Sequence, residues 1–226
     1  DSIMQARVGP ASFQRRLTSG LAKRGIEVTF DLNDQPFDIV LIIGGTRKLG
    51  QLWRCKRKGI PIIQRLDGIN WRHRIIRTSL RWRIIPALRN FLLKTIRNHF
   101  TTCVIYQSKF VRRWWHEWYG TAPCPENIIY NGVDLASFYP NNINQSFGKE
   151  KILVCAEGNI SPDNVTREMI IKVHRNLFER KVINRTFLFG NITPPMVESL
   201  RKVEGIYLEG TVPAEDMPKI FRNASL

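Results

Sequence analysis

The 226-residue chain is 43% hydrophobic and 24% charged, which excludes a disordered polyelectrolyte and allows one large domain or two modest ones. No apolar run approaches the roughly 18 residues that span a bilayer. The net charge of +16 lies wholly in the first half: residues 1–120 hold 23 Lys+Arg against 7 Asp+Glu, whereas residues 121–226 hold 12 of each.

The first element is SFQRRLTSGLAKRG. Phe13, Leu17 and Leu21 recur at helical spacing, Ser12 is placed to N-cap, and Gly25 is placed to stop the helix. Ile26–Phe30 then reads as a strand. Asp38–Ile43 reads as a second strand ending in Gly44-Gly45-Thr46, followed by a basic helix to Lys58 and a third strand over Ile60–Gln64. The tract WRHRIIRTSLRWRIIPALRNFLLKTIRNHF carries apolar residues at three- and four-residue intervals, as an amphipathic helix does, with Pro86 expected to kink or split it.

Thr102–Tyr106 reads as a fourth strand, and Ser108 is placed to cap the helix SKFVRRWWHEWYG. In that helix Trp114, Trp115 and Trp118 are expected on a packed, partly exposed face. Asn127–Tyr130 reads as a fifth strand. It runs into Asn131-Gly132, usually a hairpin turn, yet no matching apolar strand follows. In a parallel sheet that turn instead takes the chain out of the sheet, with positive φ expected at Gly132, so that Gly132→Val would damage folding.

After the polar tract Asn141–Lys149 the rhythm restarts. Strands are expected over Lys151–Ala156, Thr186–Phe189 and Ile206–Leu208. Helices are expected from Ser161-Pro162 to about Lys181, over Pro194–Val203 and over Ala214–Asn223. Alternating short strands and 10–20-residue helical segments define an α/β class with parallel sheets covered by helices. Two domains are expected, 1–143 and 144–226.

The four cysteines, Cys55, Cys103, Cys124 and Cys155, lack metal-type spacing, and Cys103 and Cys155 are expected to be buried. A reducing, cytoplasmic setting fits them, and the six Asn-x-Ser/Thr triplets are read as chance. His73, His99, His116 and His174 show no ligand spacing and are read as ordinary surface residues.

The order of these signals resembles a family 4 retaining glycosyltransferase of the GT-B, two-Rossmann-domain architecture. VGPASFQRRLTSGLAKRGIEV is similar to that family's glycine loop and first helix. FDIVLIIGG and IPIIQRLDGINW resemble its acceptor-side strands, and CVIYQSKFVRRWWHEWYG resembles its "I-x-x-S" unit. NIIYNGVDLASFYP resembles "I-x-N-G-V-D-x-x-x-F-x-P", the most specific match. ILVCAEGNIS, TFLFGNI and IYLEGTVPAEDMPKIFRNASL resemble the first half of the nucleotide-sugar domain.

The resemblance implies two Rossmann-like parallel-sheet domains facing a cleft. It implies transfer of a sugar from a nucleotide-sugar donor to a glycan, lipid-linked or small-molecule acceptor, with retention and without a metal. It also implies a fragment truncated at both ends and inactive alone, lacking the first strand and the later pair of glutamates. The sequence departs from the family at three loops. Gly44-Gly45-Thr46 and Arg65-Leu66-Asp67-Gly68 stand where a His is usual. Asn159, with Asp163 or Asn164, stands where an Arg and a Lys usually clamp the donor phosphates.

Candidate residues follow from strand and helix ends, where open parallel sheets bind ligands. Gly9 and Pro10 are placed to present a helix N-terminus to phosphate. Gly44 and Gly45 end a strand, as do Glu157, Gly158 and Asn159, and all five are assigned to donor binding. Asp67 is assigned to the chemistry, binding an acceptor or sugar hydroxyl. Asn131, Gly132 and Asp134 are read as structural.

The basic tract from Arg72 to Arg97 has three open readings: a solvated helix face, an interfacial helix on an anionic membrane surface, or a patch for nucleic acid or an acidic acceptor polymer. Two other functions stay open: a catalytically inactive GT-B-fold binding protein, or a basic nucleic-acid-binding Rossmann-like protein. The latter lacks any helix-turn-helix, zinc or RNA-recognition signature, so no nucleic-acid partner is expected.

Overall fold

The computed structural model describes residues 9–71, 80–139, 150–160 and 164–225. It is the α/β fold expected, with two parallel sheets, and the chain divides into two compact units, Pro10–Gly132 and Val133–Leu226.

The first unit carries α1 (Gly9–Ala22), β1 (Val40–Ile43), α2 (Leu49–Arg57), β2 (Ile62–Leu66), α3 (Leu80–His99), β3 (Cys103–Tyr106), α4 (Lys109–Tyr119) and β4 (Glu126–Ile128). Its strands pair in parallel in the order β1-β2-β3-β4. Val40, Ile42 and Ile62 pack on Leu52 and Cys55 of α2 and on Ile96 of α3. Leu66, Val104 and Tyr106 pack on Val111 and Trp115 of α4. Ser108 caps α4 as expected, its hydroxyl accepting from the Val111 amide at 3.1 Å.

Several expectations are corrected. α1 begins at Gly9, so Ser12 lies inside it rather than capping it. Ile26–Phe30 is not a strand: none of the described strands pairs with it, and Ile26, Val28 and Phe30 are exposed. An apolar run without a ladder partner leaves its backbone to water. β2 begins two residues late, because Pro61 has no N–H to give, and runs on through Gln64 and Arg65. α3 passes through Pro86 without splitting, its later turns fixed by buried Asn90, Ile96 and Arg97. Residues 72–79 of the basic tract lie outside the described residues.

Gly132 does not have positive φ, and a side chain there would meet nothing within 4 Å. The grounds for expecting damage from Gly132→Val therefore fall away. Cys103 and Cys155 are half-buried, while Cys55 is the buried thiol.

A buried polar centre closes the first unit. The Arg97 guanidinium is fully buried; its Nη2 donates to the Gly120 carbonyl at 2.5 Å and reaches Glu126 Oε1 at 3.4 Å, and its Nε donates to the Tyr106 hydroxyl at 3.1 Å. Glu126 also accepts from the Tyr106 hydroxyl at 2.9 Å and from the Ala122 amide at 2.8 Å, and its Oε2 lies 2.7 Å from His116 Nε2. His116 is thus a structural partner rather than an ordinary surface residue. Burial, the largest influence, pushes the Tyr106 hydroxyl up to about 12.

The second unit carries β5 (Ile152–Ile160), α5 (Asn164–Glu179), β6 (Arg185–Ile192), α6 (Pro194–Arg201), β7 (Ile206–Gly210) and α7 (Met217–Arg222). Its strands are parallel in the order β5-β6-β7, over a core of Ile160, Ile170, Leu188, Met196, Leu200 and Ile206. The expected Ser161-Pro162 helix start lies outside the described residues. His174 is buried rather than on the surface. Its Nδ1 is 2.8 Å from the Thr186 hydroxyl, its Nε2 is 2.9 Å from the Glu204 carbonyl, and its ring stacks on Phe178.

The unit is tied end to end. Phe138 packs on Phe221, the Arg222 guanidinium lies over Tyr139, and Arg222 Nη1 donates to the Ser137 carbonyl at 3.3 Å. Past α7, the Ser225 amide donates to the Ile152 carbonyl at 2.8 Å, and the Ile152 amide donates to Ser225 Oγ at 3.1 Å.

Candidate functional site

In a parallel sheet every strand delivers its following residues to the same edge. In the first unit that edge collects Gly44-Gly45 after β1, Asp67-Gly68 after β2, Gln107 after β3 and Asn131 after β4. Gly44 turns the chain with φ 73°, and its amide donates to the Arg65 carbonyl at 2.8 Å. Gly45 presses on α3, where a Cβ would sit 2.8 Å from Leu93 Cδ2. Buried Gln64 locks this turn by donating from Nε2 to the Gly44 carbonyl at 2.8 Å and to the Leu93 carbonyl at 3.3 Å.

The Asp67 loop is held at two points. Trp115 Nε1 of α4 donates to the Asp67 carbonyl at 2.8 Å. Asn90 of α3 brackets Asn70, accepting from its amide at 3.1 Å and donating to its carbonyl at 2.8 Å. The loop backbone is fixed while the half-buried Asp67 carboxylate has no hydrogen-bond partner among the described residues. Such a carboxylate can accept from a ligand hydroxyl.

Beside it stands a residue not singled out from the sequence. Arg65 is only 6% exposed, and its Nη2 donates to Gln107 Oε1 at 3.2 Å and Asn131 Oδ1 at 2.5 Å. The Phe13 ring of α1 covers the guanidinium at 3.7 Å. Burial lowers the Arg65 pKa, and the nearby charge of Asp67 partly opposes that. The signal was available: a cation inside the apolar strand IPIIQRL has to be explained by a partner. Gln107 and Phe13 carried no such signal.

Gly9 and Pro10 form the first turn of α1, rather than a loop leading to Ser12. The Phe13 contact puts the early turns of α1 on the Arg65 side of this unit.

The three candidates of the second unit sit elsewhere in that unit's sheet. Glu157, Gly158 and Asn159 do not end a strand, because β5 continues to Ile160. They form an irregularity in the β5–β6 pairing between Ala156 and Asn159. Glu157 and Gly158 are exposed, and the Glu157 carbonyl points at Gly190 of β6. Burial first, and Glu157 second, push the Cys155 thiol up. Among the described residues no group of three or more His, Cys, Asp or Glu could hold a metal ion.

No family model matches the chain, and no curated protein matches it. Solved structures share the fold at low identity. A sucrose-phosphate synthase from Thermosynechococcus elongatus is 13% identical with a TM-score of 0.58, over 95% of this chain and 52% of that one. TarM of S. aureus, solved with fondaparinux, α-GlcNAc-glycerol and UDP, is 12% identical with a TM-score of 0.56, over 82% of this chain and 35% of that one. HepE of Anabaena, solved with UDP-glucose, is 14% identical with a TM-score of 0.51, over 81% of this chain and 51% of that one. The chain thus spans between about a third and a half of the length of these structures.

Proposed function

We propose that this chain is part of a GT-B glycosyltransferase that moves a sugar from a nucleotide-sugar donor to an acceptor hydroxyl with retention. The observation that carries this reading is the Asp67-Gly68 turn, at the sheet edge where such folds take ligands. It is clamped by Trp115 and Asn90 with its carboxylate left unused. The neighbours solved with UDP and UDP-glucose support the donor class.

In this reading Asp67 accepts a hydrogen bond from a hydroxyl of the acceptor or of the donor sugar and orients it for attack. Holding two reactants in place supplies much of the rate enhancement in such transfers. Gly44, with nothing within 4 Å of where a Cβ would stand, leaves the loop backbone bare for close approach of the ligand, and Gly45 is proposed as a donor contact beside it. Gly9 and Pro10, and Glu157, Gly158 and Asn159, are proposed as donor contacts within their own units. The chemistry as drawn uses no metal, and the setting is cytoplasmic.

The test is an assay of the full-length protein against UDP-, GDP- and ADP-sugars. Asp67→Asn should lower kcat/KM about 10- to 100-fold, the worth of one charge-assisted hydrogen bond, without changing the melting temperature. A folded protein with no turnover on any donor would overturn the reading. Donor binding without turnover would favour an inactive binding protein instead.

A membrane surface is proposed as the partner of α3. Ile84, Ile85, Leu88 and Phe91 recur at i, i+1, i+4 and i+7 on its outward face and are 46%, 40%, 61% and 64% exposed. The opposite side buries Asn90, Ile96 and Arg97, so the exposed apolar residues form a second apolar face that the core does not use. Single exposed apolar residues need no explanation, but a contiguous patch does. The acid-free stretch from Gly68 to His116, with its 11 Lys+Arg, matches an anionic bilayer. Among the described residues no helix is long and apolar enough to cross a membrane, so contact would be peripheral.

Co-sedimentation with vesicles of mixed neutral and anionic phospholipid should show binding by the wild type. Leu88→Glu/Phe91→Glu should weaken it at least about 100-fold, since two such side chains are worth about 3–6 kcal/mol when buried and every 1.4 kcal/mol is about tenfold. Equal binding by the double variant would overturn the assignment. So would a wild type that binds no vesicle but dimerises through this face.

A further inference from the structure

We propose that Arg65, framed by Gln107, Asn131 and Phe13, is the receptor for a phosphate oxyanion carried by a ligand of the first unit.

The first unit holds two buried arginines, and they are solved differently. Arg97 is fully buried and has a carboxylate, Glu126, within ion-pair distance. Arg65 is 6% exposed, and among the described residues no carboxylate lies within ion-pair distance of it. Its hydrogen-bond partners, Gln107 and Asn131, are neutral amides. Amide oxygens satisfy N–H geometry but do not neutralise the charge. Taking a cation out of water is costly, and Asp67, beyond ion-pair distance, offsets only part of that cost, so the guanidinium is left able to take an anion in direct contact.

The remaining geometry agrees. A guanidinium has five N–H donors, and only Nη2 makes hydrogen bonds to described residues. Nε and Nη1 are not among the sealed, unpartnered atoms of the described residues, which are Gln51 Oε1, Gln64 Oε1 and Thr193 Oγ1. Nε–H and the Nη1 protons are therefore left for a ligand, each able to donate a single charge-assisted hydrogen bond to a phosphate oxygen. The Phe13 ring at 3.7 Å keeps the guanidinium plane from rotating away.

Asp67, two residues along, would repel a bare anion, so the ligand must offer it something else. A polyol or sugar phosphate does so by placing its phosphate on Arg65 and a hydroxyl at Asp67. The hydroxyl half of this ligand rests on the transfer reading above; the phosphate half does not.

The experiment is calorimetric titration of the full chain with inorganic phosphate, glycerol 3-phosphate and UDP at fixed ionic strength. The wild type should bind phosphate and, more tightly, glycerol 3-phosphate. Asn131→Asp is the informative variant. It sets a carboxylate where the amide oxygen now lies 2.5 Å from Nη2, so it should weaken both ligands at least 10-fold while the melting temperature holds or rises. Arg65→Gln should lose them too, and Asn131→Asp keeps the test open if Arg65→Gln fails to fold.

UDP affinity unchanged by Asn131→Asp places the phosphate on the acceptor. UDP affinity falling in parallel places the donor diphosphate at Arg65, and the oxyanion site stands in both cases. A wild type that binds none of the three, or a folded Asn131→Asp that binds phosphate as the wild type does, would sink it. Phosphate binding at Arg65 with no sugar turnover would remove the transfer reading and leave this one.

Discussion

Gly190→Ala should strongly destabilise the second unit. Gly190 has φ 143°, which L side chains rarely adopt, and a Cβ there would lie 1.8 Å from the Glu157 carbonyl oxygen and 3.0 Å from its carbon. The obstacle is backbone, so no rotamer change relieves it. β6 is the central strand of β5-β6-β7, and displacing it disturbs both ladders at once. Strain at such a position costs about 1–3 kcal/mol alone. With the lost pairing, roughly 4 kcal/mol is expected, near the upper end for single substitutions.

At about 4–8 °C per kcal/mol for a unit of this size, the melting of the second unit should fall by more than about 15 °C. Hydrogen exchange would localise the loss: amides of β5–β7 should exchange freely while those of β1–β4 stay protected. A melt within a degree or two of the wild type would refute the close approach.

The second large effect is expected at Arg97. Arg97→Leu leaves Glu126, the Gly120 carbonyl and the Tyr106 hydroxyl facing a cavity that lacks their donor. Breaking a buried pair from one side costs roughly 3–5 kcal/mol, whereas replacing both partners costs far less. Urea denaturation should therefore show Arg97→Leu much weaker than the Arg97→Leu/Glu126→Leu double variant. Equal loss in both would mean the pair is not coupled.

The same centre sets an acid limit. Burial alone would push the Glu126 carboxyl up, but the Ala122 amide, the Tyr106 hydroxyl and His116 hold it below its ordinary value. A carboxyl depressed in the folded state contributes stability that is fully present above its unfolded value, about 4.3. That stability is lost as the pH falls through the lower folded value. Glu126→Gln should flatten the fall in urea midpoint below about pH 4 and leave a constant deficit above it.

The sequence showed the alternation of strands and helices because apolar periodicity follows burial, and both sheets are buried by helices. It failed where polar residues continue a strand. β2 seemed to end at Gln64 because the following Arg65 is charged, yet both side chains are buried. β5 seemed to end at Ala156 because Glu157, Gly158 and Asn159 look like a loop, yet the strand absorbs them as an irregularity opposite Gly190. Ile26–Phe30 failed for the opposite reason: composition favours extension, but a strand is made by its neighbour.

At the candidate site, Gly44, Gly45 and Asp67 were legible as strand ends, since topology alone delivers them to one edge. Arg65 was legible only as a cation in an apolar strand; its partners were not, because Gln107 lies 42 residues away and Asn131 66. His174 could have been found. It shares the helical face of Ile170, Leu177 and Phe178, and a histidine in that register is a buried one.

The tie between Val133–Tyr139 and α7 bears on how the chain is made. A ribosome releases the first unit's last strand, Glu126–Ile128, long before Phe221 and Arg222 exist. The first unit can therefore close while synthesis continues. The second cannot: its leading segment has no seat until α7 leaves the exit tunnel, and Ser225 then clips β5 from the far side. A nascent chain stalled before Phe221 would carry one finished unit and one waiting for its latch.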